Sequence, residues 1–185
     1  MPARMVRRVL MLLCLAALAV GAAACGNADE HPGIDEPARE GLAVELDGVD
    51  YNVFITRQLN LEVPPDNAYY DGPEAEQGET LYGVFIQTCN ASDDTRETVD
   101  SFKITDNQGN EFEPEELPDE NKFAYHSREL LPHECIPEIG GVAQLGPSAG
   151  SMLLFRLPLA NTEYRPLELE VMGEGEEHIT FELDI

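Results

Sequence analysis

The stretch Leu81–Asn90, with the sequence LYGVFIQTCN, decides the fold of this chain. Side chains alternate between the two faces of a strand, which divides this stretch into two sets: Leu81, Gly83, Phe85 and Cys89 on one face, and Tyr82, Val84 and Ile86 on the other. Both sets are apolar, and the run is rich in β-branched and aromatic residues and has no proline. It therefore predicts a central strand rather than an edge strand, followed by a turn at residues 90–94.

Other segments alternate apolar and polar residues and read as partners of that strand. Asp47-Gly48 between the first two predicts a hairpin, although Phe54 interrupts the alternation of the second. The candidate strands are Leu42–Leu46, Tyr51–Ile55, Val99–Thr105, a short segment at Phe123–Tyr125, Ser151–Leu157, Leu167–Val171 and Ile179–Ile185. Because loops rich in Gly, Pro and Asp separate them, we expect seven or eight strands in an all-β antiparallel sandwich or barrel, with almost no helix.

The N-terminus has the three parts of a bacterial export signal in order. A basic region with Arg4, Arg7 and Arg8 precedes an apolar run from Val9 to Val20, which is short for a membrane span. Small residues then lead to Cys25 and resemble a lipobox, which implies cleavage before Cys25 and a diacylglycerol on its thiol. The alternative is an ordinary secretory signal with a coincidental cysteine. We assign residues 1–24 to a lipoprotein signal peptide, 25–40 to a flexible acidic tether, and 41–185 to the β domain.

The charge of the chain excludes some partners. Three of the 11 basic residues and none of the 36 acidic residues precede Cys25, so the chain from Cys25 onward has a formal net charge of −28. This charge argues against binding to nucleic acid or docking on anionic lipid, because both need patches of Lys and Arg. Divalent cations and basic partners remain open, and the simplest interpretation is a solvated acidic surface.

Cysteine placement predicts one disulfide. Cys14 lies in the signal and Cys25 is the lipidation site, which leaves Cys89 and Cys135. In an oxidising compartment, a remaining pair is most often bonded. The alternatives are two buried thiols or a metal site.

The pentapeptide Gly146–Gly150 matches the G-x-S-x-G pattern of hydrolases, with Ser148 in the position of the nucleophile. That motif needs a strand before the serine and a helix after it. Here Pro147 precedes Ser148 and an apolar β pattern follows, so we interpret the pentapeptide as a turn.

Two groups of residues could bind metal. His126, His133 and Cys135, with Glu134, are ligand types that suit zinc or copper, but their spacing matches no closed site, and a disulfide at Cys135 would exclude that residue as a ligand. Calcium could use one of two acidic clusters, Asp93, Asp94, Glu97 and Asp100, or Glu113, Glu115 and Glu116. Neither cluster has the order of an EF-hand loop, and solvated carboxylates are the simpler interpretation. We assign no metal, no cofactor and no catalytic residue.

Four segments together resemble a known family: GETLYGVFIQTCNAS, SFKITDNQGNEFEP, LGPSAGSMLLFRLP and PLELEV. They are similar to a domain-of-unknown-function family of bacterial, often actinobacterial, surface lipoproteins that look like the mycobacterial immunoprotective extracellular antigen. The matching positions are Asn90, Asp106, Gly109, Asn110, Phe112, Gly146, Pro147, Phe155 and Pro158. The resemblance covers roughly residues 42–171 and implies an immunoglobulin-like (telokin-like) β-sandwich. The acidic insertion around residues 113–145 and the cysteine pair depart from the family pattern.

Together these features lead us to expect a lipid-anchored protein on the extracytoplasmic face of the cell membrane. We expect it to be a non-enzymatic binding module and a monomer, with an envelope or extracellular protein as its partner. The alternative is a metal-binding envelope protein (Ca, Zn or Cu) or a hydrolase that uses the loop region at residues 113–145. The formal glycosylation sequon at Asn90 is interpreted as a turn at the end of a strand.

Overall fold

The structure, a computed structural model, describes residues 36–175 and 177–185. The signal peptide and Cys25 lie outside these residues. Within them, twelve strands run in chain order: β1 (Ala38–Arg39), β2 (Ala43–Leu46), β3 (Val49–Gln58), β4 (Glu79–Asn90), β5 (Arg96–Glu97), β6 (Ser101–Thr105), β7 (Glu111–Phe112), β8 (Glu129–Leu130), β9 (Cys135–Ile136), β10 (Ser151–Pro158), β11 (Glu168–Met172) and β12 (His178–Glu182). Two one-turn helices, α1 (Asp66–Tyr69) and α2 (Val142–Leu145), and a 3₁₀ turn (Asn161–Glu163) complete the described elements.

The long strands form two facing sheets. Sheet 1 has the order β1-β12-β11-β6-β7, and sheet 2 has the order β10-β4-β3-β2, with β9 also paired to β4. Strands β5 and β8 make a separate pair. Among the described strands, seven have four or more residues, and the predicted all-β sandwich is confirmed. One pairing departs from the antiparallel expectation, because β1 runs parallel to β12.

Strand β4 is central in sheet 2, as the sequence predicts. It pairs with β3 along one edge and with β10 along the other, and every residue from Thr80 to Ile86 is buried. Tyr82, Val84 and Ile86 face the core between the sheets. Leu81 and Phe85 face the opposite side, where a second cluster covers them.

Residues from both sheets fill the core between them. Sheet 2 contributes Val53 and Phe155, and sheet 1 contributes Ile104, Leu169 and Phe181, each with no measurable exposure. Since each fully buried large apolar side chain stabilises the fold by roughly 1.5–3 kcal/mol, this cluster is the main source of stability.

The hairpin of β2 and β3 forms as predicted, and a bulge explains why Phe54 interrupts the alternation. Asp47 and Gly48 both have positive φ, 54° and 80°, as a two-residue hairpin turn of type I′ requires. The register of β3 against β4 shifts between Val53 and Ile55. Thr56, rather than Ile55, therefore lies opposite the inward-facing Val84, and Ile55 is 38% exposed. The apolar alternation of this strand therefore ends at Val53, because the bulge inserts one residue.

A layer of loop residues covers the outer face of sheet 2. We call residues 59–75 and 115–125 the cover. Its apolar side chains pack on the outward side chains of β4 and β10; the buried residues of this second cluster are Leu59, Tyr69, Tyr70, Leu81, Phe85, Leu117, Ala124, Met152 and Leu154. Tyr69 contacts Phe85 and Phe123 edge-on, with ring centroids 4.8 and 5.0 Å away. The first half of the acidic insertion at residues 113–145 therefore packs against sheet 2.

The cover also forms hydrogen bonds along β10, which is the edge strand of sheet 2. Glu115 donates its backbone N–H to Leu154 of β10 (2.6 Å), and Tyr125 donates to Met152 (3.0 Å). Arg156 of β10 holds the cover through its ion pair with Glu115 at 2.6 Å. The strand expected at Phe123–Tyr125 is reduced to an isolated bridge at Ala124, because this segment meets only the end of an edge strand. Blocking an edge in this way prevents pairing with other chains.

The β domain begins before Gly41. Ala38 is buried in the core between the sheets, and the Glu40 carboxylate accepts backbone hydrogen bonds from Thr56 (3.2 Å) and Asp184 (3.1 Å). The last residues assigned to the tether from the sequence therefore belong to the sheet.

Candidate functional site

The predicted disulfide is present and joins the central strand to the second half of the acidic insertion. Cys89 of β4 and Cys135 of β9 are directly opposite in register, with an S–S distance of 2.12 Å and a Cα–Cα distance of 4.1 Å. Because β9 has only two residues, this bond is its strongest attachment to sheet 2. Residues 131–145, which we call the tethered segment, are held against β4 by it.

Asn90, the residue after Cys89, organises the base of the tethered segment. Its side-chain amide donates to the carbonyls of Asp94 (2.7 Å) and Leu130 (3.1 Å), and its side-chain oxygen accepts from the Ser92 N–H (2.9 Å). Its backbone N–H donates to Glu134, and its carbonyl accepts from His133. Asn90 is 1% exposed, which fits the expected turn at the end of a strand and explains why this position needs a side chain with both donor and acceptor groups.

An ion pair closes the turn at residues 131–134. Glu134 accepts a hydrogen bond from the Leu131 N–H at 2.9 Å and pairs with Arg128 at 2.8 Å. These two interactions, the backbone one first, lower the pKa of Glu134 below its ordinary value. The carboxylate is therefore charged at neutral pH and fixes the start of the tethered segment.

The tethered segment exposes large aliphatic side chains. The exposed fractions are 63% for Leu131, 72% for Ile139, 55% for Val142 and 73% for Leu145. Leu131 and Ile139 line the same surface depression, of about 390 Å³, beside Cys135. Ala143, between Val142 and Leu145, is 2% exposed and attaches α2 to the body. From the sequence, this region reads only as part of the acidic insertion at residues 113–145; the spacing of three between Val142 and Leu145 is the signal that indicates a shared exposed face.

Ser148 lies in a turn between α2 and β10, which is the reverse of the strand–turn–helix order of a nucleophile elbow. Its hydroxyl is buried and has no hydrogen-bond partner among the described residues. A serine nucleophile needs a base within hydrogen-bond reach. Packing accounts for the last glycine of the motif: a Cβ at position 150 would lie 2.9 Å from the backbone of Phe85 and of Ile86, so only glycine fits there.

The candidate zinc or copper ligands do not come together. The His126 ring lies 3.9 Å from Asp119, and the His133 ring lies 3.5 Å from Asp93, while Cys135 is in the disulfide. Within residues 36–175 and 177–185, no group of three or more His, Cys, Asp or Glu side chains has the geometry to hold a metal ion. This includes both acidic clusters considered for calcium.

The Asp106 carboxylate joins two loops through hydrogen bonds. Its carboxylate accepts hydrogen bonds from the backbone of Gln108 and Asn110 and from the side chains of Asn110 and Asn161. Burial opposes ionisation, but these hydrogen bonds outweigh it and lower the pKa of Asp106 to about 2. The matched D-x-x-G-N pattern is therefore a structural turn, in which Gly109 takes a φ of +81°.

Two tyrosine hydroxyls, one on the buried Tyr51 of β3 and one on the partly buried Tyr125, are hydrogen-bonded to the loop after β5. The Tyr51 hydroxyl accepts from the Val99 N–H at 3.0 Å, and the Tyr125 hydroxyl donates to the Val99 carbonyl at 2.9 Å. Burial raises the pKa of Tyr51 to about 12 and also raises that of Tyr125. Both phenols stay protonated at physiological pH and act as structural hydrogen-bonding groups.

No family model matches the sequence, and no curated protein matches it. Two solved structures are similar. The yjhA protein from Bacillus subtilis is 9% identical, with a TM-score of 0.48, and the match covers 80% of this chain and 99% of that one. An uncharacterized β-sandwich protein from Clostridium difficile 630 is 13% identical, with a TM-score of 0.49 and coverage of 80% and 95%. In the part of the chain that the structure describes, no helix is long and apolar enough to cross a membrane.

Proposed function

We propose that the protein is a lipid-anchored binding module on the extracytoplasmic face of the cell membrane. In this proposal it is a non-enzymatic monomer that engages an envelope or extracellular protein through the tethered segment. The lipobox-like residues before Cys25 support the anchor, because several acyl chains together hold a soluble domain on a bilayer. The Cys89–Cys135 disulfide supports the location, since such bonds persist in oxidising compartments.

The family assignment is part of this proposal. Membership among immunoglobulin-like surface lipoproteins is supported by the role of the matched residues in the structure. Asp106, Gly109 and Asn110 form one hydrogen-bonded turn, and Phe155 is fully buried. The matched pattern thus consists of positions that build a sandwich, and it assigns no residue a chemical role.

One observation carries the proposed binding role. The tethered segment presents Leu131, Ile139, Val142 and Leu145 to solvent while the disulfide holds it on the central strand. Exposed clusters of large apolar side chains mark interaction surfaces. A surface fixed in advance also loses less conformational entropy on binding than a free loop. The cover presents less apolar surface, because its buried apolar residues face sheet 2 and Val63 is the one large apolar residue of the cover that is exposed.

In-cell photocrosslinking tests this role. A benzoylphenylalanine residue replaces Ile139 in the full chain, and in a matched control it replaces Leu42, which is 56% exposed on the β2 side of sheet 2. We expect a discrete crosslinked protein from position 139, found in the membrane fraction, and none from position 42. Equal crosslinking from both positions, or none from position 139 in correctly folded protein, would contradict a binding role for the tethered segment.

A further inference from the structure

The tethered segment carries four large aliphatic side chains that are exposed. We call Leu131, Ile139, Val142 and Leu145 the apolar patch. Residues 139, 142 and 145 are spaced by three, so those within the helical turn share a face, and Leu131 and Ile139 meet across the depression beside Cys135. All four are more than half exposed. Four exposed large aliphatic side chains within residues 131–145 differ from the single exposed apolar residues that are normal on protein surfaces.

The residues that hold the apolar patch in place are buried or hydrogen-bonded. Leu130 has no exposed surface and Ala143 is 2% exposed, so the segment is packed at both ends. The Leu145 N–H donates to the Gly141 carbonyl at 3.0 Å, which closes α2. Binding there would not first require the segment to order, a large part of the cost of association for a flexible loop.

Acidic groups lie beside the apolar patch, at the depression next to Cys135. Glu134 and Glu138 line the same depression as Leu131 and Ile139, and Asp93 reaches this area through His133 at 3.5 Å. Residues 129–145 include three acidic residues and no Lys or Arg. Arg128 is the nearby cation, and its charge is already engaged by Glu134. The Glu134–Arg128 pair is neutral as a whole, so Glu138 and Asp93 make this rim of the depression negative, in a chain that is itself strongly acidic.

The negative charge beside the patch favours one of three possible binding partners: a second copy of this chain, an anionic bilayer, or a cationic protein segment. A second copy would bring an identical acidic rim against the first, and an anionic bilayer would also present like charge, which is repulsive at close range. A protein segment with apolar side chains flanked by Lys and Arg meets both the patch and the rim with complementary chemistry. Building on the proposed binding function, we propose that the apolar patch docks a cationic amphipathic segment of an extracytoplasmic protein.

A defined peptide pair tests the proposed chemistry. The probe is a fluorescein-labelled helical peptide of Leu and Lys, and its matched partner has Glu in place of Lys. The full chain is held in phosphatidylcholine nanodiscs, and empty discs provide the background. Fluorescence anisotropy at low and high salt measures the dissociation constants. We expect the Leu/Lys peptide alone to bind, with an affinity that falls as salt rises.

Variants separate binding at the patch from general attraction to an acidic protein. Ile139→Ser and Val142→Ser should each weaken binding by about tenfold, since each removes a large apolar contact. Glu138→Lys should weaken binding and reduce its salt dependence. Leu42→Ser is the control and should change neither, and unchanged melting temperatures establish that all variants are folded.

Several results would overturn the proposal. Equal binding of the Leu/Glu peptide, or indifference of the Leu/Lys peptide to Ile139→Ser, rules out this partner chemistry. An Ile139-dependent dimer in sedimentation would show a second copy as the occupant, and Ile139-dependent flotation with anionic vesicles would show a lipid surface. If crosslinking at position 139 still captures a protein when the peptide probe is indifferent, the binding function stands and only the partner chemistry is wrong.

Discussion

Cys89 and Cys135 face each other across neighbouring antiparallel strands, with Cα atoms 4.1 Å apart. The bond connects β4, which lies between β3 and β10 in sheet 2, to a segment that has few backbone pairings of its own. Stability and the presentation of the tethered segment therefore depend on the same covalent link. This coupling distinguishes the tethered segment from the cover, which apolar packing holds in place.

Removing the disulfide should destabilise the domain. In the loop-entropy description, a bond that closes a separation of 46 residues contributes up to about 4 kcal/mol. The double variant Cys89→Ser with Cys135→Ser should lose a large part of this free energy of unfolding in urea titrations. The wild-type domain should lose the same amount when reduced. An unchanged unfolding midpoint in both tests would mean that the bond constrains nothing.

Two buried tyrosines should respond oppositely to loss of the hydroxyl. Tyr51→Phe removes the acceptor of the Val99 N–H at 3.0 Å and should destabilise the domain by about 1–2 kcal/mol. The Tyr69 hydroxyl is buried with no hydrogen-bond partner among the described residues. Tyr69→Phe should leave stability unchanged or raise it by up to about 1 kcal/mol. Thermal unfolding of the two variants gives the comparison, and a larger loss for Tyr69→Phe would contradict it.

Gly150 should tolerate no side chain. A Cβ at this position would lie 2.9 Å from the backbone of β4 at Phe85 and Ile86, and backbone in a central strand cannot move aside. Gly150→Ala should therefore cost about 1–3 kcal/mol. Ser148→Ala, in the same turn, is the matched control and should be neutral or stabilising, because the Ser148 hydroxyl is buried without a partner. Equal effects of the two substitutions would show that the turn does not press on β4.

Stability should fall in acid partly through Asp106. Its hydrogen bonds lower the pKa to about 2 in the folded state, below the ordinary value of about 3.9 for an unfolded chain. A lowered folded-state pKa contributes stability above pH 4, and this contribution is lost as the pH falls toward 2. Asp106→Asn should be less stable at pH 7 by about 1–3 kcal/mol and should lose less on acidification. Asn161→Ala should show smaller changes in stability at pH 7 and in the loss of stability on acidification. Parallel profiles of stability against pH for the wild type and the two variants would refute this role of Asp106.

The sequence predicts the sandwich because its main signals are local. The double apolar alternation of Leu81–Asn90 and the Asp47-Gly48 turn each depend on a few neighbouring residues, and the cysteine pair follows from counting the cysteines that remain after the N-terminal segment. All three appear in the structure. The bulge at Phe54 could not be placed in this way, since it depends on the register between two strands.

The candidate surface depends on long-range packing and is therefore hidden in the sequence. Leu130 and Leu131 are adjacent and identical, yet one has no exposed surface and the other is 63% exposed. Long-range contacts distinguish them: Leu130 pairs with β5, and its carbonyl accepts a hydrogen bond from Asn90. The insertion at residues 113–145 likewise reads as one acidic loop, while the structure divides it into a packed cover and an exposed tethered segment. Composition carries no information about that division.

Intact mass spectrometry of the protein extracted from cell membranes without reductant tests the central claim most directly. The account predicts the mass of residues 25–185 with diacylglycerol and acyl groups on Cys25, two hydrogens lighter than the dithiol form. A chain that retains residues 1–24, an unmodified Cys25, or two free thiols at Cys89 and Cys135 would contradict it.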